Sequence, residues 1–277
     1  SRDDLQPCKH ARLRRAGVTP ISCDLLDRAA VSSLPRAANV VFLAGRKFGT
    51  EGSQELTWAM NVLAPANVAE HFRGSRIVAL STGCVYPLVA PAQGGCSEGV
   101  APAPVGEYAQ SCLGRERVFE YHSRRDGTPV VLIRLNYAND LRYGVLRDIA
   151  EPVWNGRPVN VTVPAFNCIW QGDANRTILQ AFALCRTPPE VLNVTGPETL
   201  TVREAAEELG RLLGRPVRLV GSPGPTAYLN DAARAHRLFG PPRVSAAQLI
   251  RWTAAWVAAG GRSLNRPTHF EVADGKF

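Results

Sequence analysis

Between Arg76 and Glu120 the chain gathers hydroxyls, thiols and arginines at spacings suited to proton transfer or nucleophilic attack. An apolar run ends in Ser81-Thr82-Gly83-Cys84-Val85-Tyr86. After a polar loop rich in Gly, Pro and Ala, Gly106-Glu107-Tyr108-Ala109-Gln110-Ser111-Cys112 opens a helix. A phenol titrates near pH 10, so Tyr108 serves as an acid/base at neutrality only if a cation stabilises its phenolate. Cys112 lies one helical turn beyond Tyr108 and brings no charge. Arg115, seven residues on, still shares that face and is a candidate substitute; its competing fate is an exposed ion pair with a Glu. Cys84 and Cys112 are candidate nucleophiles. No His stands beside either in sequence, and the simpler reading makes both inert small hydrophobes.

The elements that position these groups alternate strand and helix, as a doubly wound parallel sheet requires. Val18–Cys23, Asn39–Leu43, Arg76–Thr82, Pro129–Leu135 and Val191–Val194 read as short buried strands. Leu26–Ser33 and Tyr108–Arg124 read as helices. So does Glu51–Phe72, with Leu56, Met60, Leu63 and Val68 as its apolar face. Further on, Val145–Asn155 and Ala174–Cys185 are helical and Arg157–Val161 is a strand. Thr201 and Glu204 form a capping box that opens a helix to Leu213. In the last helix, Ala246–Ala259, Trp252 and Trp256 are four residues apart and suggest a packing stripe. The tail from Gly260 carries few apolar residues and is expected to wrap the surface.

Composition narrows the class. At 277 residues, 45% hydrophobic and 20% charged, the chain can bury a full core. No apolar run approaches the roughly 20 residues of a membrane span and no signal peptide is visible, so a cytoplasmic location is expected. The net charge of +8 rests on arginine, with only Lys9, Lys47 and Lys276 as lysines. It is spread along the chain apart from Lys9–Arg15, read as a solvated helix face, and no nucleic-acid partner is expected. Cys8, Cys23, Cys84, Cys96, Cys112, Cys168 and Cys185 are odd in number and contain no C-x-x-C pair, and the five histidines show no metal spacing. Neither a disulfide framework nor a metal site is indicated.

The segment from Ser81 to Cys112 resembles the active-site region of the extended short-chain dehydrogenase/reductases, the NAD-dependent epimerase/dehydratase group. Val40-Val41-Phe42-Leu43-Ala44-Gly45 looks like that family's fourth strand, Asp24-Leu25 like its adenine-touching pair, and Arg134-Leu135-Asn136-Tyr137 like a shortened substrate turn. Gln171-Gly172-Asp173 and Val194–Glu198 match later turns. The resemblance implies a Rossmann-like sheet in residues 1–140 and a smaller α/β substrate lobe in 141–277, with 163–195 returning to the sheet. It implies NAD or NADP as cofactor, held by Asp24, Leu25, Leu43, Ala44, Gly45, Ser81 and Tyr108. It assigns catalysis to Thr82 and Tyr108, with Cys112 at the position where the family carries lysine, and substrate contact to Cys84, Asn136 and Tyr137. Gly83 and Cys84 stand where the dehydratases carry Asp and Glu, which argues against elimination of water.

The function implied is redox or epimerase chemistry on a small polar, sugar-like molecule. The competing readings are a degenerate cofactor-sensing or scaffold protein, and a non-redox isomerase or lyase using Tyr108. A homodimer through Glu51–Phe72 and Tyr108–Arg124 is also implied. Ser1–Asp4 looks like the end of the family's second strand, so roughly 35 to 45 residues bearing the Gly-rich loop are expected upstream of the given sequence, the first β-α unit being absent from it.

Overall fold

The computed structural model describes residues 6–47 and 52–275; Ser1–Asp4, read as a strand end, lies outside them. Helix α1 (Gln6–Arg15) exposes Arg12, Arg14 and Arg15. Helix α2 (Arg28–Ser32) is capped by Asp27, whose carboxylate accepts from the Ala29 and Ala30 amides. Strand β1 (Asn39–Phe42) follows. Helix α3 (Gln54–Trp58) runs through a π-turn, Ala59–Leu63, into α4 (Ala64–His71). Next come β2 (Arg76–Thr82), α5 (Gly106–Asp126) and β3 (Val130–Leu135).

The C-terminal half contains β4 (Ala138–Asn139), α6 (Val145–Trp154), β5 (Val159–Asn160), β6 (Ala165–Phe166) and β7 (Ile169–Trp170). It continues with α7 (Gln171–Gln180), β8 (Glu190–Val194), β9 (Leu200–Thr201), α8 (Val202–Leu213), β10 (Leu219–Val220), α9 (Ala233–Phe239) and α10 (Ala246–Ala258). Thr201 caps α8 as its sequence requires, accepting from the Glu204 amide at 3.1 Å while its hydroxyl meets the Glu204 carboxylate.

Four parallel strands form the central sheet in the order β1-β2-β3-β8. Alternate side chains of each strand enter opposite layers. Ile77, Ala79, Val130 and Leu132 pack with Val68, Phe72 and Phe119 beneath α4 and α5. Val78, Val131 and Ile133 pack with Ile178, Leu192 and Ala235 beneath α7 and α9. Both faces of the sheet are therefore apolar and covered, the requirement for an all-parallel sheet. The lobe has its own core, where α6, α8 and α10 meet around Leu146, Ile149, Phe166, Leu209 and Leu249. Strand β8 joins the sheet beside β3, and α7 and α9 pack on the same face. Among the described residues no helix is long and apolar enough to cross a membrane.

Three expectations change. Val18–Cys23 is not a strand: among the described residues no ladder partner borders it, Pro20 has no N–H to donate, and the segment is largely exposed. In the helix after β1 the inward face is Thr57, Asn61, Ala64 and Val68, while Leu56 and Leu63 are 37% and 59% exposed. In α10 the buried stripe is Leu249, Ile250, Thr253, Ala254 and Val257. The two tryptophans flank it: Trp252 stands edge-on to Trp170, and the Trp256 indole donates to the Arg262 carbonyl.

Candidate active site

A cavity of about 270 Å³ opens where the carboxyl ends of β1, β2 and β3 meet the N-terminal part of α5. This is where open parallel sheets take ligands, because loops diverge there and leave a crevice. Leu43 and Gly45 reach it from β1, Thr82 and Cys84 from β2, Asn136 and Tyr137 from β3, and Tyr108 and Arg115 from α5. The Gly106 backbone that starts α5 has φ +79°, and a Cβ there would lie 2.3 Å from the Gly275 carbonyl oxygen. Glycine thus lets the C-terminal segment lie against the turn carrying Tyr108.

Thr82 and Tyr108 line the cavity together, and Cys112 packs against Tyr108 from behind. Burial raises the Tyr108 pKa well above 10, and the Cys112 and Cys84 thiols push the same way, while Arg115 and Thr82 oppose them. Burial likewise pushes Cys112 up to about 11 and raises Cys84. At neutral pH the cavity thus holds a phenol and thiols, all protonated, and neither cysteine is an activated nucleophile. Cys112 is fully buried behind Tyr108, among Val85, Tyr86 and Cys96.

Arg115 is neither exposed nor paired with a Glu. Its guanidinium donates to the Leu80 carbonyl at 2.9 Å and to Asn61 Oδ1 at 2.6 Å, and lies over the Phe42 ring. Asn61 binds three segments together: it also accepts from the Arg46 amide and donates to the Arg46 carbonyl and the Ser111 hydroxyl. Nothing in the apolar periodicity pointed to Asn61; an Asn near the middle of an amphipathic helix was the only signal.

Other expected site residues are placed as follows. Ser81 borders the cavity, but its hydroxyl donates to Glu116, which also holds Arg134 in a bidentate, buried ion pair at 2.7 and 3.0 Å. Strand parity explains this, since Ser81 and Arg134 share the sheet face that α5 covers. Asn136 also borders the cavity, with its amide donating to Asn167 Oδ1 at 2.8 Å. Tyr137 holds a left-handed backbone, φ +37°, at the cavity edge, a strained conformation of the kind that clusters at functional sites. Ala44 packs into the core below, and Asp24 and Leu25 lie outside the cavity lining, with Asp24 accepting from the Leu26 amide.

The sequence model of the NAD dependent epimerase/dehydratase family matches residues 3–138. This segment belongs to that family. No curated protein matches the chain. Solved structures that share its fold include RMD from Pseudomonas aeruginosa complexed with NADPH, 20% identical over 87% of this chain and 88% of that one, TM-score 0.75. UDP-glucose 4-epimerase from Thermotoga maritima with UDP-glucose is 18% identical over 88% and 85%, TM-score 0.75. DesIV, a dTDP-glucose 4,6-dehydratase from Streptomyces venezuelae with NAD and TYD bound, is 20% identical over 87% and 80%, TM-score 0.74. The fold is the α/β, mostly parallel, Rossmann-like architecture of these epimerases and dehydratases.

Sequence reasoning also passed over Lys47. The loop after β1 carries it to the cavity wall, where its ammonium donates to the Thr268 carbonyl at 2.9 Å. Thr268 belongs to the C-terminal segment and donates both its amide and its hydroxyl to Asp148 of α6. A larger hollow of about 510 Å³ lies between α6, β5 and residues 263–271. Two of its arginines are engaged with acids, Arg142 with Asp140 and Arg147 with Glu151, and neither Thr82 nor Tyr108 lines it.

Proposed function

We propose that this chain is an NAD(P)-dependent oxidoreductase or epimerase acting on a sugar carried by a nucleotide. The observation that carries the reading is that Thr82 and Tyr108 line one cavity at the carboxyl ends of the parallel strands. Solved relatives of the fold bound to NADPH, NAD or UDP-glucose supply the cofactor and substrate class.

The residues present fit the nicotinamide end of a dinucleotide. Leu43 projects 65% exposed beside the polar cavity, an apolar surface for a ring, and Gly45 adds no side chain next to it. Leu43, Ala44, Gly45, Ser81 and Tyr108 would hold that end, and Asp24 with Leu25 the adenine end. When bound, the cofactor supplies hydride transfer. Tyr108, protonated at neutral pH, gives its proton to the substrate oxygen and takes one back in the reverse direction. Thr82 holds that oxygen and the phenol together. Cys84 and Tyr137 face the substrate, and Asn136 fixes the lobe against the sheet through Asn167. The same reading makes a homodimer through α3, α4 and α5, where Leu56, Trp58, Leu63 and Tyr121 are exposed.

Calorimetric titration with NADH and NADPH comes first, followed by incubation with NAD⁺ or NADP⁺ and UDP-glucose or dTDP-glucose and detection of the epimer or keto-sugar by NMR. Dinucleotide binding at micromolar concentrations is expected. No heat with either dinucleotide overturns the reading. Binding without turnover selects the alternative favoured by Cys112 at the lysine position, a cofactor-sensing protein. A gain of turnover in Cys112→Lys would then mark a degenerate redox site, and no change a repurposed pocket.

A further inference from the structure

We propose that Lys47 is the cation of this cavity, performing from the loop after β1 the electrostatic task that a lysine at position 112 would perform from α5. The inference rests on the reading of Tyr108 as the proton carrier. It extends that reading to a residue that neither the family resemblance nor the helix spacing assigns.

Three observations carry it. Among the described residues, Lys47 is the lysine that lines the cavity with Thr82, Cys84 and Tyr108. Its ammonium is anchored rather than trailing in solvent, donating to the Thr268 carbonyl, which is itself fixed through Asp148. The other cation at the cavity, Arg115, is committed to the Leu80 carbonyl and Asn61, and its always-charged guanidinium holds β2 to α5.

A buried ammonium needs anions nearby. Burial lowers the Lys47 pKa, while the Asp148 and Glu271 carboxylates act to raise it. Such a group responds strongly to a new negative charge, because attraction between charges grows as water is excluded. An oxyanion formed on Tyr108 or on the substrate is that charge. The chain thus reaches the usual charge balance from a different element, leaving position 112 to a buried, uncharged thiol behind the phenol.

The test reads the phenol directly and requires no substrate. Tyr108→3-nitrotyrosine places a chromophore whose phenol titrates within the pH range proteins tolerate, and its absorbance is followed against pH in the full chain. The titratable and charged groups around it are Cys112 and Arg115 on α5 and Cys84 after β2, with Lys47, Tyr137 and Tyr143 lining the same cavity. Lys47→Met is expected to raise the midpoint by about one pH unit. Lys47→Arg should leave the midpoint near the parent value, and Cys112→Lys added to Lys47→Met should bring it back down.

A midpoint unmoved by Lys47→Met, in protein whose circular dichroism and thermal unfolding match the parent, overturns the assignment. So does a midpoint that moves and that neither Arg at 47 nor Lys at 112 restores, since that is the result of a merely structural lysine. A restored shift in a protein that binds no dinucleotide would keep the cation assignment and discard the hydride chemistry. Turnover together with an unmoved midpoint would do the reverse.

Discussion

Two polar clusters lie a strand's width apart at the end of the sheet, and they are built on opposite principles. On the α5 face, Glu116 takes both the Arg134 guanidinium and the Ser81 hydroxyl, Arg134 lies over the Tyr86 ring, and Tyr86 donates to Asn193. There a full charge meets a full countercharge. At the cavity, Arg115 and Lys47 stand beside a phenol and thiols that are neutral at pH 7, with Asp148 and Glu271 as the carboxylates acting on Lys47. The first cluster is electrostatically complete and rigidifies the sheet-to-helix contact. The second holds cations beside neutral acids, so negative charge that develops there is stabilised, the condition for assisting a reaction rather than a fold.

Removing the countercharge tests the first half of this contrast most severely. Glu116→Ala leaves Arg134 buried and unpaired, and a loss of about 3–5 kcal/mol in urea unfolding is expected. A loss below about 1 kcal/mol would show that the ion pair does not set the local stability. At the cavity the ranking of stability and activity reverses. Tyr108→Phe should cut turnover roughly 10²- to 10⁴-fold while changing unfolding free energy by no more than about 1 kcal/mol. Equal damage to both measurements would erase the distinction between the clusters.

Asn61 touches only the cavity side, through Arg115, Arg46 and Ser111, and it should behave as a hybrid. Asn61→Ala is expected to cost about 2–3 kcal/mol by leaving buried donors and acceptors without partners, and to weaken NADH or NADPH binding by loosening the Arg46 loop. Unaltered stability would show that this loop needs no tether.

A subtler test uses pH. Burial raises the Asp148 pKa from its usual 3.8, so between that value and its folded pKa the native state holds the proton more tightly than the unfolded chain. Asp148 thus contributes stability at low pH that is lost as pH rises through its folded pKa. Thermal unfolding of the parent should fall relative to Asp148→Asn as pH rises from 3.8 through the folded pKa, and parallel curves would contradict this. Smallest of all, Leu63→Asp should leave the protomer's stability within about 0.5 kcal/mol, yet lower the mass measured by sedimentation if α3–α5 form the dimer face.

Much of the fold was legible because it depends on local patterns. The β-branched runs at Val40–Phe42, Ile77–Leu80 and Val130–Leu135 are buried on both faces, and such runs admit few alternatives. Thr201 with Glu204, and Gly214 in the left-handed conformation after α8, mark helix ends through bonds spanning three or four residues. The phase of the helix around Asn61 was not legible. Apolar spacing put Leu56 and Leu63 inside, but Arg115 and Ser111 on a helix some fifty positions later draw Asn61 inward instead. Val18–Cys23 shows the same limit from the other side, since β-propensity forms no strand where no neighbour pairs with it.

The sequence by itself determined the alternating architecture, the family of residues 3–138, the Thr82/Tyr108 pair and the absence of lysine one turn after Tyr108, all of which depend on residue type and short spacing. Only the tertiary structure decided which cations line the cavity with that tyrosine. It locks Arg115 into the junction of β2 and α5, and it brings Lys47 to the cavity wall against Thr268, 221 positions away in the chain. Charge acts through space at a range of several ångströms, and distance along the chain does not constrain it.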